Sequence, residues 1–332
     1  PYLIELQKYG YQFTILSCEK KEKYELQGQY IRNLLQQNNI RWQVLAFSTK
    51  PPILAKYYDI FRLKKKALDL HRKYHFDMTH CRSYIAADVG YFLKKKHNIK
   101  FLFDMRGFWV DERVDGGLWN LKNPLYNLAY KTYKKKEINY VNQADYLIAL
   151  SKAGEKEMKK WPNFRQTPIQ IIPCSTDFDL FFLTKKSIQQ QYRKKLGFDT
   201  KNLIISYLGS IGTWYLLDGM LHFFAILKEK YPTAKFLFIT GEKPIVIYKH
   251  LPNFNLQKSD VHIISAARQD VPNLLSVSDI SLFFIKTSYS KIACSPTKLG
   301  EILAMGIPVI ANKNVGDVAE ILEQTKSGIT LE

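Results

Sequence analysis

Ser295-Pro296-Thr297-Lys298-Leu299-Gly300-Glu301-Ile302-Leu303-Ala304-Met305-Gly306-Ile307-Pro308-Val309-Ile310 reads as a loop, a helix and a strand in succession. Pro296 and Thr297 suit the start of the helix, Gly306 its left-handed C-terminal stop, and Pro308 the start of the strand. The apolar run Ile280–Ile285 precedes the loop, so the helix follows a strand and its first N–H groups point at the strand ends, an arrangement that favours a phosphate. Lys298 falls in the first turn, where the helix dipole prefers an anion on the protein; the placement is unfavourable unless a ligand supplies the negative charge. Glu301, three residues on, shares that face and can accept hydrogen bonds from ribose hydroxyls. The alternative is a Lys/Glu surface pair at i, i+3.

Outward from this stretch, short apolar runs alternate with amphipathic ones, which predicts an α/β fold of parallel sheets wrapped by helices. The predicted strands of the first half are Gln12–Ser17, Trp42–Phe47, Met78–Cys81, Lys100–Phe103, Tyr146–Leu150 and Gln170–Ile172. Those of the second half are Leu203–Leu208, Lys235–Thr240, Val261–Ile264, Ile280–Ile285, Pro308–Ala311 and Ile329–Leu331. Helices fit the gaps, among them Lys56–Lys73, Leu125–Tyr140, Leu217–Lys230, Val271–Ser276, Lys298–Met305 and Asp317–Gln324. Pro173–Lys201 lacks a strand and holds an acidic turn (Asp177, Asp179) before a polar helix, which places a boundary between a domain of residues 1–172 and one of 173–332. The chain opens on a helix, Leu3–Tyr9, and stops after a short strand, so it is expected to be a fragment of a longer protein.

In doubly wound sheets ligands sit beyond the carboxyl ends of the strands. Gly209-Ser210-Ile211-Gly212-Thr213 occupies such a place after Leu203–Leu208, as a phosphate-holding turn or a plain tight one. Val315-Gly316-Asp317 offers a second helix start, with a glycine that admits a ligand and an aspartate in N-cap position. In the first half, Phe103-Asp104-Met105-Arg106-Gly107-Phe108-Trp109, followed by Asp111, Glu112 and Arg113, is dense in charge and aromatics for a turn at a strand end. His80-Cys81-Arg82-Ser83-Tyr84 ends the preceding strand; Arg82 and Ser83 are its candidates for ligand contact and His80 reads as a core residue. Ser151 follows another strand, as a rim residue or a helix cap.

Composition limits the classes. With 332 residues, 46% hydrophobic and 14% aromatic, the chain has enough apolar material for two domains. Its apolar runs are too short to cross a bilayer and its start shows no leader, so a cytoplasmic protein is expected. Cys18, Cys81, Cys174 and Cys294 form no CxxC pair and have no histidine at metal-ligand spacing, which predicts free thiols and no structural zinc. Of the net +19, residues 1–172 carry 31 Lys+Arg against 16 Asp+Glu, or +15, leaving +4 for the rest. Lys64–Lys66, Lys94–Lys96 and Lys134–Lys136 fall late in helix-like stretches, where they complement the dipole. A face for anionic lipid is the other reading, at about 1 kcal/mol per basic residue near a charged surface. Nucleic acid is disfavoured, since no RNA- or DNA-binding signature accompanies the charge. Ser-His-Asp order, HExxH and a Walker lysine are absent from the sequence.

The second half resembles the donor-binding domain of GT-B glycosyltransferases of family 4, and the resemblance spans about Leu3 to Glu332. Its most specific part, Ser295 to Asp317, is similar to the family's Glu-x7-Glu region with the following Gly-x-Pro-Val-Ile strand. Ile172-Pro173-Cys174-Ser175-Thr176-Asp177 resembles the Pro-x-Gly-Val-Asp segment at the crossing between domains, and Arg268–Leu275 the short helix after the base-contacting loop, with Ser265–Ala267 near the base. Glu301 matches the second glutamate of the motif, implying ribose binding, whereas Ala293 stands where the first is expected. The family's Arg and Lys after the glycine turn are replaced at about Ser210 and Tyr215, so the diphosphate falls to Lys298, the turn amides and Arg268. Asp104 and Arg106 stand where many members carry a histidine near the reacting sugar.

What the resemblance implies is a GT-B fold, two Rossmann-like domains facing across a cleft, and metal-independent, retaining transfer of a sugar, hexosyl or hexosaminyl, from a nucleotide-diphosphate donor. It implies no cofactor beyond the nucleotide-sugar substrate. Lys298, Arg106 and Asp104 are the catalytic candidates. Gly209, Ser210, Gly212, Arg268, Ser295, Thr297, Lys298, Glu301 and Gly316 are the donor candidates, and Arg82, Ser83, Arg106, Gly107 and Trp109 the acceptor candidates. The basic first half suits a saccharide or lipid-linked acceptor in cell-surface polysaccharide or lipopolysaccharide synthesis, with the enzyme peripheral at the inner face of the membrane. A sugar-nucleotide epimerase or hydrolase, and a basic membrane- or nucleic-acid-binding module without catalysis, are the alternatives.

Overall fold

The structure, a computed structural model, describes residues 2–49 and 52–332. Contacts divide the chain into two compact units, Pro1–Asp104 with Asn139–Leu147, and Met105–Ile138 with Ile148–Glu332. In the first unit, β1 (Thr14–Glu19) and β2 (Arg41–Ala46) form a parallel pair of their own, joined by the helix Lys21–Gln37. Next, β3 (Met78–Arg82) pairs in parallel with β4 (Lys100–Asp104) through the crossover helix Ser83–His97. Alternation along β4 turns Phe101 and Phe103 to one face, where both are fully buried, stack at 6.0 Å and meet the Tyr140 ring. In the four-stranded order β3-β4-β5-β6, β5 (Tyr146–Ala149) passes from the first unit into the second, and β6 (Ile169–Ile171) belongs to the second.

The second unit is built on β7 (Ile204–Leu208), β8 (Lys235–Ile239), β9 (Val261–Ile264), β10 (Ile280–Phe283), β11 (Val309–Asn312) and β12 (Gly328–Leu331). Every pairing is parallel, in the order β12-β11-β10-β7-β8-β9. Counted within the sheet this is 3-2-1-4-5-6, the doubly wound order whose direction reverses between β7 and β10. Helices such as Leu217–Lys230 cover the sheet, and all five residues of β7 are buried, which is why that strand reads as an unbroken apolar run.

All twelve expected strands are present, with ends displaced by no more than two residues. Strand β10 stops at Phe283 rather than Ile285 because Ile285 forms an antiparallel bridge with Tyr215 and exchanges two 2.8 Å hydrogen bonds with the Asn312 side chain. The lysine runs correct one expectation. Lys94–Lys96 close the helix Ser83–His97, but Lys64–Lys66 and Lys134–Lys136 lie within the helices Pro52–Tyr74 and Pro124–Gln143. Part of their charge is neutralised internally: Lys64 meets Asp88 at 2.6 Å, Lys94 meets Asp145 at 2.7 Å, and Lys134 meets Asp111 at 2.8 Å and also Glu137.

Candidate functional site

The reversal between β7 and β10 brings two of the stretches singled out in the second half, the Gly209 turn and the helix that carries Lys298, against each other. Gly209, directly after β7, has φ +115°, a conformation that favours glycine. A Cβ there would lie 3.1 Å from the Lys298 ammonium, so the turn and the lysine share one small space. The chain beyond the turn is pinned to the continuation of β10, with Leu216 N donating to Phe284 O at 3.0 Å and Lys286 N to Trp214 O at 2.8 Å. Lys298, in the first turn of the helix Thr297–Ala304, is buried. Its ammonium donates to Tyr207 Oη at 3.1 Å and lies 3.7 Å from the Tyr215 ring centre and 4.2 Å from that of Tyr207. Among the described residues no carboxylate pairs with it. Burial lowers its pKa to about 7, against a smaller upward pull from Glu301.

The surface Lys/Glu pair is therefore not what forms. Glu301 is buried and its carboxylate binds Arg268 at 2.6 Å, while the Arg268 guanidinium lies 4.6 Å from the Phe181 ring centre. Ser295 Oγ accepts from Cys174 N at 3.1 Å, tying the donor stretch to the segment after β6, and Arg106 donates to Cys174 Sγ at 3.4 Å. Ser210, Gly212 and Thr297 are exposed around this space, and Ser210 O accepts from Tyr207 Oη at 2.6 Å.

Gly316 has φ +48°, and a Cβ there would overlap the Cys294 carbonyl oxygen; its N–H donates to Lys291 O at 2.8 Å. The glycine serves close packing of backbone on backbone. Asp317 does not cap its own helix, Val318–Thr325. Its two carboxylate oxygens accept from Lys152 N at 2.7 Å and Ala153 N at 2.9 Å, closing the start of the helix Lys152–Met158 instead. Ser151 caps that same helix by accepting from Gly154 N, and donates to Ile292 O at 2.9 Å. Cys294 has its thiol pushed up to about 11, chiefly by burial, which makes it a packing residue rather than a nucleophile.

Sequence reading missed a second buried lysine. Lys291 donates to Glu112 Oε1 at 2.8 Å and lies 3.6 Å from the Trp214 ring centre, next to the residue that carries Lys298. Successive rings, Trp214 and Tyr215, thus each seat one ammonium. The density of charge around Glu112 was visible in the sequence; its partner 179 residues away was not. Gly107 N-terminal to this segment has φ +100° and approaches the Ala293 carbonyl, and Arg106 has φ +57°. Trp109 packs edge-on against Trp119 and Tyr133 at 5.8 and 5.4 Å, with the Arg113 guanidinium 4.9 Å from its ring centre.

The first unit holds the remaining candidates. Asp104 is buried at the end of β4 with an oxygen 3.5 Å from His80 Nε2, and it stands opposite Arg82 in the parallel register. His80 is thus tied to a candidate site residue. Ser83 begins the next helix at φ +70°. Among the described residues no cluster of His, Cys, Asp and Glu is placed to hold a metal, and no helix is long and apolar enough to cross a membrane.

A doubly wound parallel sheet whose order reverses between β7 and β10, with the Gly209 turn and Lys298 meeting at that reversal, defines an α/β protein of the class that takes ligands at such switch points. Comparison with known proteins is more specific. Residues 3–180 match Glycosyltransferase Family 4, and residues 188–332 match Glycosyl transferases group 1. Among solved structures, a glycosyltransferase from Rickettsia africae superposes with TM-score 0.67 at 20% identity, over 99% of this chain and 78% of that one. Sucrose-phosphate synthase from Thermosynechococcus elongatus superposes at 0.65 and 16% identity, over 97% and 86%. Anabaena Alr3699/HepE, solved in complex with UDP-glucose, superposes at 0.62 and 16%, over 96% and 85%. No curated protein sequence matches the chain. At such identities the structural likeness establishes the fold, and the family match covers more than half of the chain. The chain belongs to glycosyltransferase family 4 and has the GT-B fold.

Proposed function

We propose that this glycosyltransferase moves a hexosyl or hexosaminyl group, with retention and without a metal, from a nucleoside diphosphate to a saccharide or lipid-linked acceptor. The observation that carries the donor half of the reading is Lys298. A buried ammonium with no carboxylate partner is costly, and a diphosphate seated at the Gly209 turn would supply the missing charge. Alr3699/HepE, with the same fold, has been crystallised with UDP-glucose, which supports a donor of this class.

The chemistry asked of the residues follows. As the bond from the sugar carbon to the diphosphate oxygen breaks, negative charge grows on the leaving phosphate. Lys298 and the N–H groups at the start of the helix Thr297–Ala304 are fixed in place to stabilise it, with no reorganisation at the moment of reaction. Glu301, oriented by Arg268, presents a carboxylate for ribose hydroxyls. The departing phosphate takes the acceptor proton, so no strong protein base is needed. Arg106 with Gly107 and Trp109, and Asp104 with Arg82 and Ser83, are the groups assigned to the reacting sugar and acceptor. The excess of basic residues before residue 173 suits an acceptor held at an anionic membrane face, in cell-surface polysaccharide or lipopolysaccharide synthesis.

The test is calorimetric titration with UDP, GDP and ADP sugars, followed by mass spectrometry of lipid and saccharide acceptors incubated with the donor that binds. Binding of one nucleotide class, weakened roughly 100-fold by Lys298→Ala, is expected from loss of a buried charge contact. Binding that this substitution leaves intact would remove the lysine from the mechanism, and no binding of any nucleotide sugar would overturn the reading.

A further inference from the structure

We infer that Glu112, held by Lys291 beside Trp214, is a specificity residue that receives hydroxyl groups of the donor's sugar. The inference rests on the donor reading above. All three residues belong to the second unit, and two elements place them. Trp214 follows the exposed turn Gly209–Thr213 directly, and its neighbour Tyr215 carries Lys298. Lys291 lies in the 3-10 turn Tyr289–Ala293, and its carbonyl holds the Gly316 amide. Glu112 enters from the short helix Trp109–Asp115, which is fastened to that turn a second time by Asp115 Oδ2 accepting from Ser290 N at 2.9 Å.

The charge balance makes this carboxylate compatible with a diphosphate neighbour. A bare carboxylate would repel it. Glu112 instead hands Oε1 to a buried ammonium, so the pair is neutral as a whole. The Glu112 side chain is nevertheless 44% exposed, against 8% for Lys291. A carboxylate has about four acceptor positions, and the ammonium takes one of them. What faces solvent next to the phosphate turn is therefore a fixed, oriented acceptor with capacity to spare, which is the group that paired sugar hydroxyls require. Ala293 contributes no polar side-chain group there; its Cβ packs against Gly154, while Gly107 approaches its backbone carbonyl.

The test compares a nucleotide sugar with its own nucleoside diphosphate. Of UDP-glucose, UDP-N-acetylglucosamine, GDP-mannose and ADP-glucose, the one that binds the unaltered protein best is titrated into Glu112→Gln and Glu112→Asp, alongside UDP, GDP or ADP as appropriate. Expected is a loss of about tenfold in nucleotide-sugar affinity relative to the nucleoside diphosphate, the size of one hydrogen bond to a charged group; the nucleoside diphosphate itself changes under twofold in Glu112→Asp, which keeps the charge, and tightens at most a few-fold in Glu112→Gln, which removes it. Melting temperatures within a few degrees of the parent would show that both variants fold. An equal loss for both ligands would mean that Glu112 only braces the turn and would overturn the inference, as would no loss for either. Failure of the parent protein to bind any nucleotide sugar would overturn the donor reading and this inference with it.

Discussion

Two lysines seven residues apart in one stretch have been buried in opposite ways. Lys291 and Lys298 both sit on aromatic rings, at 3.6 and 3.7 Å from the centres of Trp214 and Tyr215. Lys291 has a carboxylate; Lys298 has a phenol hydroxyl. The difference separates a charge that the fold completes from one that it leaves incomplete, and only the second lies at the glycine turn. Replacing each by methionine, of similar length and no charge, breaks the comparison most sharply. Lys298→Met should raise stability by about 1–2 kcal/mol at pH 7, because the desolvated ammonium is removed and the apolar stem is kept. The same variant should lose donor binding. A gain in melting temperature together with a loss of titratable binding is the expected pair; a lower melting temperature would mean that the Tyr207 and Tyr215 contacts outweigh desolvation.

The second prediction concerns pH. Burial holds the free Lys298 near pKa 7, below its ordinary value, and a bound diphosphate would raise it again. Below pH 7 the group is already charged, so binding takes up no proton and the affinity is flat. Above it, binding must first protonate the lysine, and affinity falls by up to tenfold per pH unit until the pKa of the complex is reached. Tyr207 and Tyr215 stay neutral over this range because burial raises both, and Glu301 is engaged by Arg268. Titration of a nucleotide sugar between pH 6 and 9 should show affinity that is flat up to about pH 7 and weakens above it, by up to about 100-fold at pH 9. A flat profile in the parent protein would place the donor away from this lysine.

How far such contrasts are legible in the sequence depends on the range of the interaction. Strand β7 and its neighbours are buried on both faces, so continuous apolar runs reveal them. The placement of Lys298 and Glu301 on one helical face followed from spacing alone. Their actual partners, Tyr207 and Arg268, are contributed by other strand ends, 91 and 33 residues away, and no local pattern encodes them. Asp317 has the position of a cap for the following helix, and its position says nothing of the helix Lys152–Met158 that it serves. Of the carboxylates that meet the lysine runs, Asp88, Asp111 and Asp145 come from other elements and are equally invisible locally, whereas Glu137, three residues from Lys134, was within reach of a spacing argument. Lys291, between Ser290 and Ile292, carries no mark of burial in its surroundings.

The smallest effect belongs to Lys291, and its size decides how the pair with Glu112 is understood. In Lys291→Met the ammonium disappears, but Glu112 is exposed enough to be hydrated, so the usual severe cost of a stranded buried charge does not apply. The expected loss is about 1 kcal/mol, a few degrees in melting temperature for a unit of this size. Nucleoside diphosphate binding should then fall a few-fold, because an unneutralised carboxylate now faces the phosphates, and 0.5 M salt should restore most of it by screening. Restoration by salt separates electrostatic repulsion from a collapsed turn: a turn that had lost its shape would stay weak at every ionic strength.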